Sequence, residues 1–278
     1  MINGDSTESA HFIFANLNGT ISAWSSVASN GTTAVIQVPL PLTGTVPSYT
    51  GLAINQAQNR LYAANNAAGS IDVFNSTFNP DTTLLPGAFT KPSAFGSLVP
   101  FNVQDLNGQV YVTYAPAGHP THAALGAGAV AIFDENGNQK QTLMDGHLAA
   151  PWGLAIASSN FGGFSNDLLV GNFSYDNSFI STFAFDSTGH LTFQGTIPID
   201  PGNGNTAGGL WALIFGNTGI NNGSPDTLYF SDGINGEKDG LFGAINVVPL
   251  PAALPLFATG LVGLGLLGWR RKKAAAAG

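Results

Sequence analysis

A two-strand pattern that returns at intervals of 49, 49, 58 and 60 residues constrains the fold of this 278-residue chain more than any other feature. Each occurrence joins an apolar-aromatic run to a second alternating run through a polar turn rich in Gly and Asn. The pairs are Phe12–Ala15 with Ile21–Trp24, Leu61–Ala64 with Ile71–Phe74, Val110–Thr113 with Val130–Phe133, Leu168–Gly171 with Ser181–Phe185, and Leu228–Ser231 with Leu241–Ile245. Alternation with a period of two lets a strand cover a core on one side and meet water on the other. One hairpin buries too little surface to stand alone, so five at similar spacing imply an array in which each unit covers the next.

From the second pair onward a further strand comes first: Gly51–Ile54, Pro100–Val103, Pro151–Ile156 and Gly209–Ile214. These runs are almost continuously apolar, as strands covered on both faces are. More polar strands follow three of the pairs, at Ala34–Val38, Gln139–Met144 and Leu191–Ile197. Four strands per unit, repeated radially with the apolar ones innermost, predict an all-β chain folded as a β-propeller. A β-sandwich also uses short alternating strands, but it gives no reason for a Gly- or Pro-led strand to open each unit.

The dipeptides Asn18-Gly19, Asn107-Gly108 and Asn136-Gly137 fall between runs, where a tight hairpin needs positive φ. The Pro-bearing stretch 77–99 reads as a long surface connection, and no amphipathic helix is expected before residue 252. Counting strands leaves the first unit without an inner strand and the last without an outer one. The ring is therefore expected to need sequence upstream of Met1.

Charged residues make up 9% of the chain and aromatic residues 10%, too few and too many respectively for disorder. Four of the eight Lys and Arg lie at 270–273, so residues 1–247 set 16 acidic side chains against four basic ones. Such a body offers nucleic acid no basic patch. The absence of cysteine excludes disulfides, thiolate metal sites and cysteine nucleophiles. Met1-Ile2-Asn3-Gly4-Asp5 has neither the basic nor the apolar region of an export signal, which is expected to lie upstream as well.

The end of the chain differs in kind. Val248-Pro249-Leu250-Pro251 leads into an uncharged apolar run, 252–269, that stops at Arg270-Arg271-Lys272-Lys273. Eighteen helical residues rise about 27 Å, at the short end of what crosses a bilayer. Thr259 is the one polar side chain inside the run, and Gly260, Gly263, Gly265 and Gly268 give it small faces. The basic cluster marks the cytoplasmic end and leaves residues 1–247 outside. Two regions follow: a propeller domain, 1–247, and a tail, 248–278, with a transmembrane helix at 252–269.

Motif, helix and basic cluster, in that order, resemble the PEP-CTERM sorting signal of Gram-negative bacteria, with Val248-Pro249-Leu250-Pro251 as a variant in which Leu250 replaces the usual Glu. The resemblance implies recognition by an exosortase, passage through the inner membrane, removal of the tail, and a mature protein in the envelope or outside the cell. The body is similar to an uncharacterised bacterial family of NHL-like propellers carrying such tails. That likeness rests on Asn16–Ser22, Gly69–Phe74, Pro151–Ala155, Phe164–Phe173 and Gly233–Phe242. It implies six blades, about five of them present here, and it brings no established activity.

Ligands of propellers bind at the mouths of the central channel. Trp152 and Trp211 hold matching places in neighbouring inner strands, either as an aromatic platform for a sugar or as a wedge between blades. Asn65, Asn172 and Asp232 recur after the second strand of three units, where their oxygens could hold Ca²⁺ or simply shape turns. His119 and His122 lack further ligands for zinc in their own loop. Asp232, Glu237 and Asp239 read first as a solvated turn, and no nucleophile with its base is recognisable. No catalytic residue and no metal site is assigned. One reading is an exported, non-catalytic propeller that serves as a binding or structural component of the extracellular polysaccharide layer. The other is a metal-dependent propeller hydrolase or lactonase with its site at the channel.

Overall fold

Each repeat folds into an antiparallel meander. The computed structural model describes residues 9–27 and 31–247. The first sheet holds β1 (Phe12–Ala15), β2 (Ile21–Trp24) and β3 (Val35–Val38), and the second β4 (Tyr49–Ile54), β5 (Arg60–Asn65) and β6 (Ser70–Asn75). The third contains β7 (Val99–Leu106), β8 (Gln109–Ala115), β9 (Ala129–Asp134) and β10 (Gln139–Leu143). The fourth contains β11 (Pro151–Ile156), β12 (Leu168–Asn172), β13 (Phe179–Phe185) and β14 (Leu191–Pro198). The fifth contains β15 (Gly209–Phe215), β16 (Leu228–Gly233) and β17 (Leu241–Ile245). Every pairing joins strands adjacent in sequence, so five sheets of three or four strands follow one another in a propeller-like order.

The inner strands β4, β7, β11 and β15 lie side by side. Each is interrupted by a register shift at the same level, between Tyr49 and Gly51, Pro100 and Asn102, Pro151 and Leu154, and Leu210 and Leu213. The Gly residues there serve close approach: a Cβ at Gly51 would run into Asn102, and one at Gly153 into the Trp211 carbonyl oxygen. Asn102 Nδ2 also donates to the Trp152 carbonyl at 2.8 Å, so one side chain ties β7 to β11.

Apolar clusters fill the spaces between sheets. Ile21, Ala23, Leu61 and Phe74 pack between the first two, Tyr62, Tyr114 and Phe133 between the second and third. Tyr111, Leu154 and Phe183 join the third to the fourth, and Ile180, Leu210 and Phe230 the fourth to the fifth. The stretch 77–99 does more than cross the surface. Its Phe89 and Phe95 are buried and meet Tyr62 and Tyr114 with ring centroids 5.3 and 5.0 Å apart. Beside a sheet of three strands, these rings cover apolar surface that a fourth strand covers elsewhere.

Asn107-Gly108 has positive φ at both residues, 58° and 79°, the turn expected of that pair. At Asn18-Gly19 and Asn136-Gly137 only the Gly is left-handed, because the Asn is drawn into a wider turn. Asn18 there accepts from Thr20 N at 3.1 Å. Among the described residues helical turns are short, and the one at Ile234–Glu237 runs through left-handed backbone at Asn235, Gly236 and Glu237. No helix among the described residues is long and apolar enough to cross a membrane. The motif at 248–251, the apolar run and the basic cluster lie outside those residues.

Gly153→Ala is expected to cost about 1–3 kcal/mol in urea denaturation, since its methyl group must displace a backbone oxygen. Gly163→Ala, where a Cβ meets nothing within 4 Å, should stay within about 0.5 kcal/mol of the parent.

Candidate functional site

Where β11 and β15 begin and β12 and β16 end, aromatic rings gather around a carboxylate. Phe173, buried after β12, meets Phe101 at 5.4 Å, Trp211 at 4.6 Å and His119 at 5.5 Å between ring centroids. A Cβ at Gly209 would fill the place of the Phe173 ring, so this Gly admits the aromatic core of the cluster. Trp152 and Trp211 stand edge to face at 5.2 Å, both half-buried. The Trp152 indole N–H donates to the Thr50 carbonyl at 3.0 Å, reaching past β7 to β4. The two indoles thus touch across neighbouring sheets, and their N–H groups are engaged by protein.

The carboxylate is Glu237. Its backbone, with Asn235 and Gly236, is left-handed at φ 61°, 55° and 66°. Two non-Gly residues in this conformation, Asn235 and Glu237 on either side of Gly236, are costly without external support. Asn235 supplies it: Oδ1 accepts from Thr206 N at 3.0 Å, and Nδ2 donates to Asp239 at 2.9 Å. So fixed, Glu237 accepts from Trp211 Nε1 at 2.9 Å and lies 3.5 Å from His119 Nε2. Tyr175 completes the frame; burial, and then the adjoining Glu237 carboxylate, push its hydroxyl up to about 12. The phenol is therefore a donor at neutral pH. Glu237 is a buttressed acceptor, where the sequence suggested a solvated turn.

Asp232 lies deeper, 2% exposed, and neither carboxylate oxygen has a hydrogen-bond partner among the described residues. Burial raises its pKa; the Ser178 hydroxyl and the Gly233 N–H pull the other way, and the charge of Glu237 adds to the rise. Asn65 and Asn172 stand at the equivalent register, opposite the last inner-strand residue before the shift, as Asp232 does. Both are occupied, Asn172 by backbone and Asn65 by backbone and by Asp72, to whose carboxylate its Nδ2 donates at 2.9 Å. Asn65 Oδ1 accepts from Ser48 N and Ala68 N, and Asn172 Oδ1 accepts from Ala149 N at 2.9 Å while Nδ2 donates to the His147 carbonyl. Among the described residues no group of three or more His, Asp or Glu side chains is placed to hold a metal. His122 pairs with Asp176 at 3.1 Å, away from His119's partner Glu237.

The other ends of the inner strands border a cleft of 760 Å³ with an apolar floor from Leu154, Leu213 and Phe215 and an amide rim from Gln56, Gln104 and Asn166. Asp105 lines it, with its carboxyl raised by burial and by neighbouring Glu135. The sequence pointed to Trp152, Trp211 and Asp232 at one mouth but not to Phe173, Tyr175 or His119, which come from loops of two different sheets. Only the positive-φ habit of Asn235-Gly236 signals locally that Glu237 follows a sharp reversal.

Ionising Asp232 is harder in the folded chain than in the unfolded one, so its contribution to stability is greatest at acid pH and declines as pH rises through its folded pKa. Asp232→Asn should therefore melt higher than the parent at pH 7, with the difference vanishing near pH 3, in paired thermal melts.

No family model and no curated protein matches this chain. Solved structures do. A chain of a nidogen–laminin complex aligns with TM-score 0.51 at 16% identity, covering 86% of this chain and 79% of its own length. A gluconolactonase from Xanthomonas campestris aligns with TM-score 0.52 at 17% identity, covering 84% and 71%. These likenesses establish the propeller-like all-β fold.

Proposed function

We propose that this chain is an exported, non-catalytic propeller protein that binds polysaccharide in the extracellular layer and is delivered there by its C-terminal sorting tail. The observation that carries the binding reading is the half-buried Trp152–Trp211 pair beside the buttressed Glu237 carboxylate. Aromatic faces next to fixed hydrogen-bonding groups suit the apolar faces and hydroxyls of sugar rings. In this reading the ring has six blades, of which the chain supplies about five. Exposed apolar residues on the two end sheets support it: Phe12, Phe14 and Ile36 on one, Ile214 and Phe242 on the other. Their in-facing neighbours, such as Ala23 and Leu213, are buried against the next sheet.

Delivery rests on the tail. Val248-Pro249-Leu250-Pro251 is read by an exosortase, the helix 252–269 holds the precursor in the inner membrane, and Arg270-Arg271-Lys272-Lys273 stays on the cytoplasmic side. Removing residues 270–273, or changing Pro249 and Pro251 to Ala, should leave unprocessed precursor in the inner membrane. Mass spectrometry of the mature protein checks this, and a terminus intact to Gly278 would reduce the tail to a plain anchor.

The second reading, a calcium-dependent lactonase or hydrolase, is favoured by one observation, the unpartnered carboxylate of Asp232. A cation there would relieve an uncompensated buried charge. Thermal melting separates the two readings. Fragments of the host's exopolysaccharide should raise Tm while millimolar calcium leaves it unchanged; the reverse pattern selects the metal enzyme.

A further inference from the structure

Two indole N–H groups stand where β11 and β15 begin, and both already have acceptors within the protein. That of Trp152 donates to the Thr50 carbonyl at 3.0 Å, and that of Trp211 to Glu237 Oε1 at 2.9 Å. The Tyr175 hydroxyl turns to the same carboxylate, whose charge helps it keep its proton. With these donors engaged, what the rings present to a ligand is the π-face, the negative end of the ring quadrupole. Trp152 meets Trp211, and Trp211 meets Phe173, with 79° and 62° between ring planes, so the faces point in more than one direction.

Glu237 adds a full negative charge and has capacity to spare. A carboxylate accepts at about four lone-pair positions. Trp211 and Tyr175 occupy two, and His119 Nε2 reaches Oε2 only at 3.5 Å, from a side chain that is 65% exposed. The Glu237 side chain is itself 25% exposed, so an incoming donor can reach it. Below it the unpartnered Asp232 is harder to ionise in part because Glu237 is charged. Among the described residues no Lys or Arg forms an ion pair with either carboxylate.

Acceptors and electron-rich faces whose own donors are engaged sort sugars by chemistry. An acidic sugar brings more acceptors and is repelled. A neutral hydroxyl donates but asks for a donor in return. An ammonium group only donates, carries the matching charge and is drawn to aromatic faces as well.

We propose that this mouth selects an amino sugar whose nitrogen is a free ammonium group, held against Glu237 with the sugar on the faces of Trp152 and Trp211. The proposal rests on the polysaccharide reading above and narrows it to polymers with unacetylated amines.

The test titrates the full chain calorimetrically with oligosaccharides of one length, built from glucosamine, N-acetylglucosamine, glucose or galacturonic acid, in buffer acidic enough to charge the amines. The glucosamine oligomer should bind about tenfold more tightly than the acetylated and neutral ones, and the acidic one should not bind. Added salt should shrink the preference. Glu237→Gln keeps an acceptor for the Trp211 N–H but removes the charge, and should bring the glucosamine oligomer down to the affinity of the neutral one with circular dichroism unchanged. Asp176→Asn removes an exposed carboxylate that pairs with His122 instead, and should leave the preference intact. Equal loss in both variants overturns the proposal in favour of the general acidity of the chain. Equal binding of the neutral or acetylated oligomer overturns the amine and leaves the polysaccharide reading standing. Methylammonium binding as tightly as the glucosamine oligomer overturns the sugar, and failure of every oligosaccharide to bind overturns this proposal together with that reading.

Discussion

Close contact between backbones along the inner strands is the constraint on which the rest of the structure depends. Gly51 and Gly153 let adjacent strands come within reach of backbone and amide atoms, and Asn102 converts that proximity into a bond from β7 to the carbonyl of Trp152. A buried amide of this kind has to find its partners, so it sets the level of one sheet against the next. The apolar clusters between sheets then form on a register already defined. Tyr62, Phe133, Leu154 and Phe183 can each be wholly or almost wholly excluded from water because the spacing of the sheets is held at the axis.

The same arrangement builds the channel mouth. Because β11 and β15 run side by side at a fixed level, Trp152 and Trp211 meet edge to face, and Gly209 leaves room for Phe173 beneath them. The left-handed backbone at Glu237 is a local cost that Asn235 and Thr206 offset, and its result is a carboxylate held against the Trp211 N–H. Asp232, two strand residues before that reversal begins, has no such support. In the second and fourth sheets the corresponding position carries Asn, which can donate and accept at once; Asp232 can only accept when ionised, and the donors nearest it, the Ser178 hydroxyl and the Gly233 N–H, are not in bonding geometry.

Much of the architecture was legible because strand periodicity and turn chemistry act locally. The strand pairs, the apolar inner strands and the Asn107-Gly108 hairpin stand where alternation and positive φ put them. The stretch 77–99 was not legible in the same way: its prolines mark a loop, but nothing in its pattern says that Phe89 and Phe95 turn inward. Of the mouth, the two Trp residues were visible from their matched places, whereas the roles of Phe173, Tyr175 and His119 depend on loops from separate sheets.

The sequence by itself determined five hairpins, the apolar character of the inner strands, the acidic body and the apolar, basic-ended tail, since each follows from residues within a few positions of one another. Tertiary structure alone decided which carboxylate is buttressed and which is stranded. Those outcomes depend on what packs against a residue from another sheet, and burial, hydrogen-bond satisfaction and pKa are properties of that surrounding and not of the residue.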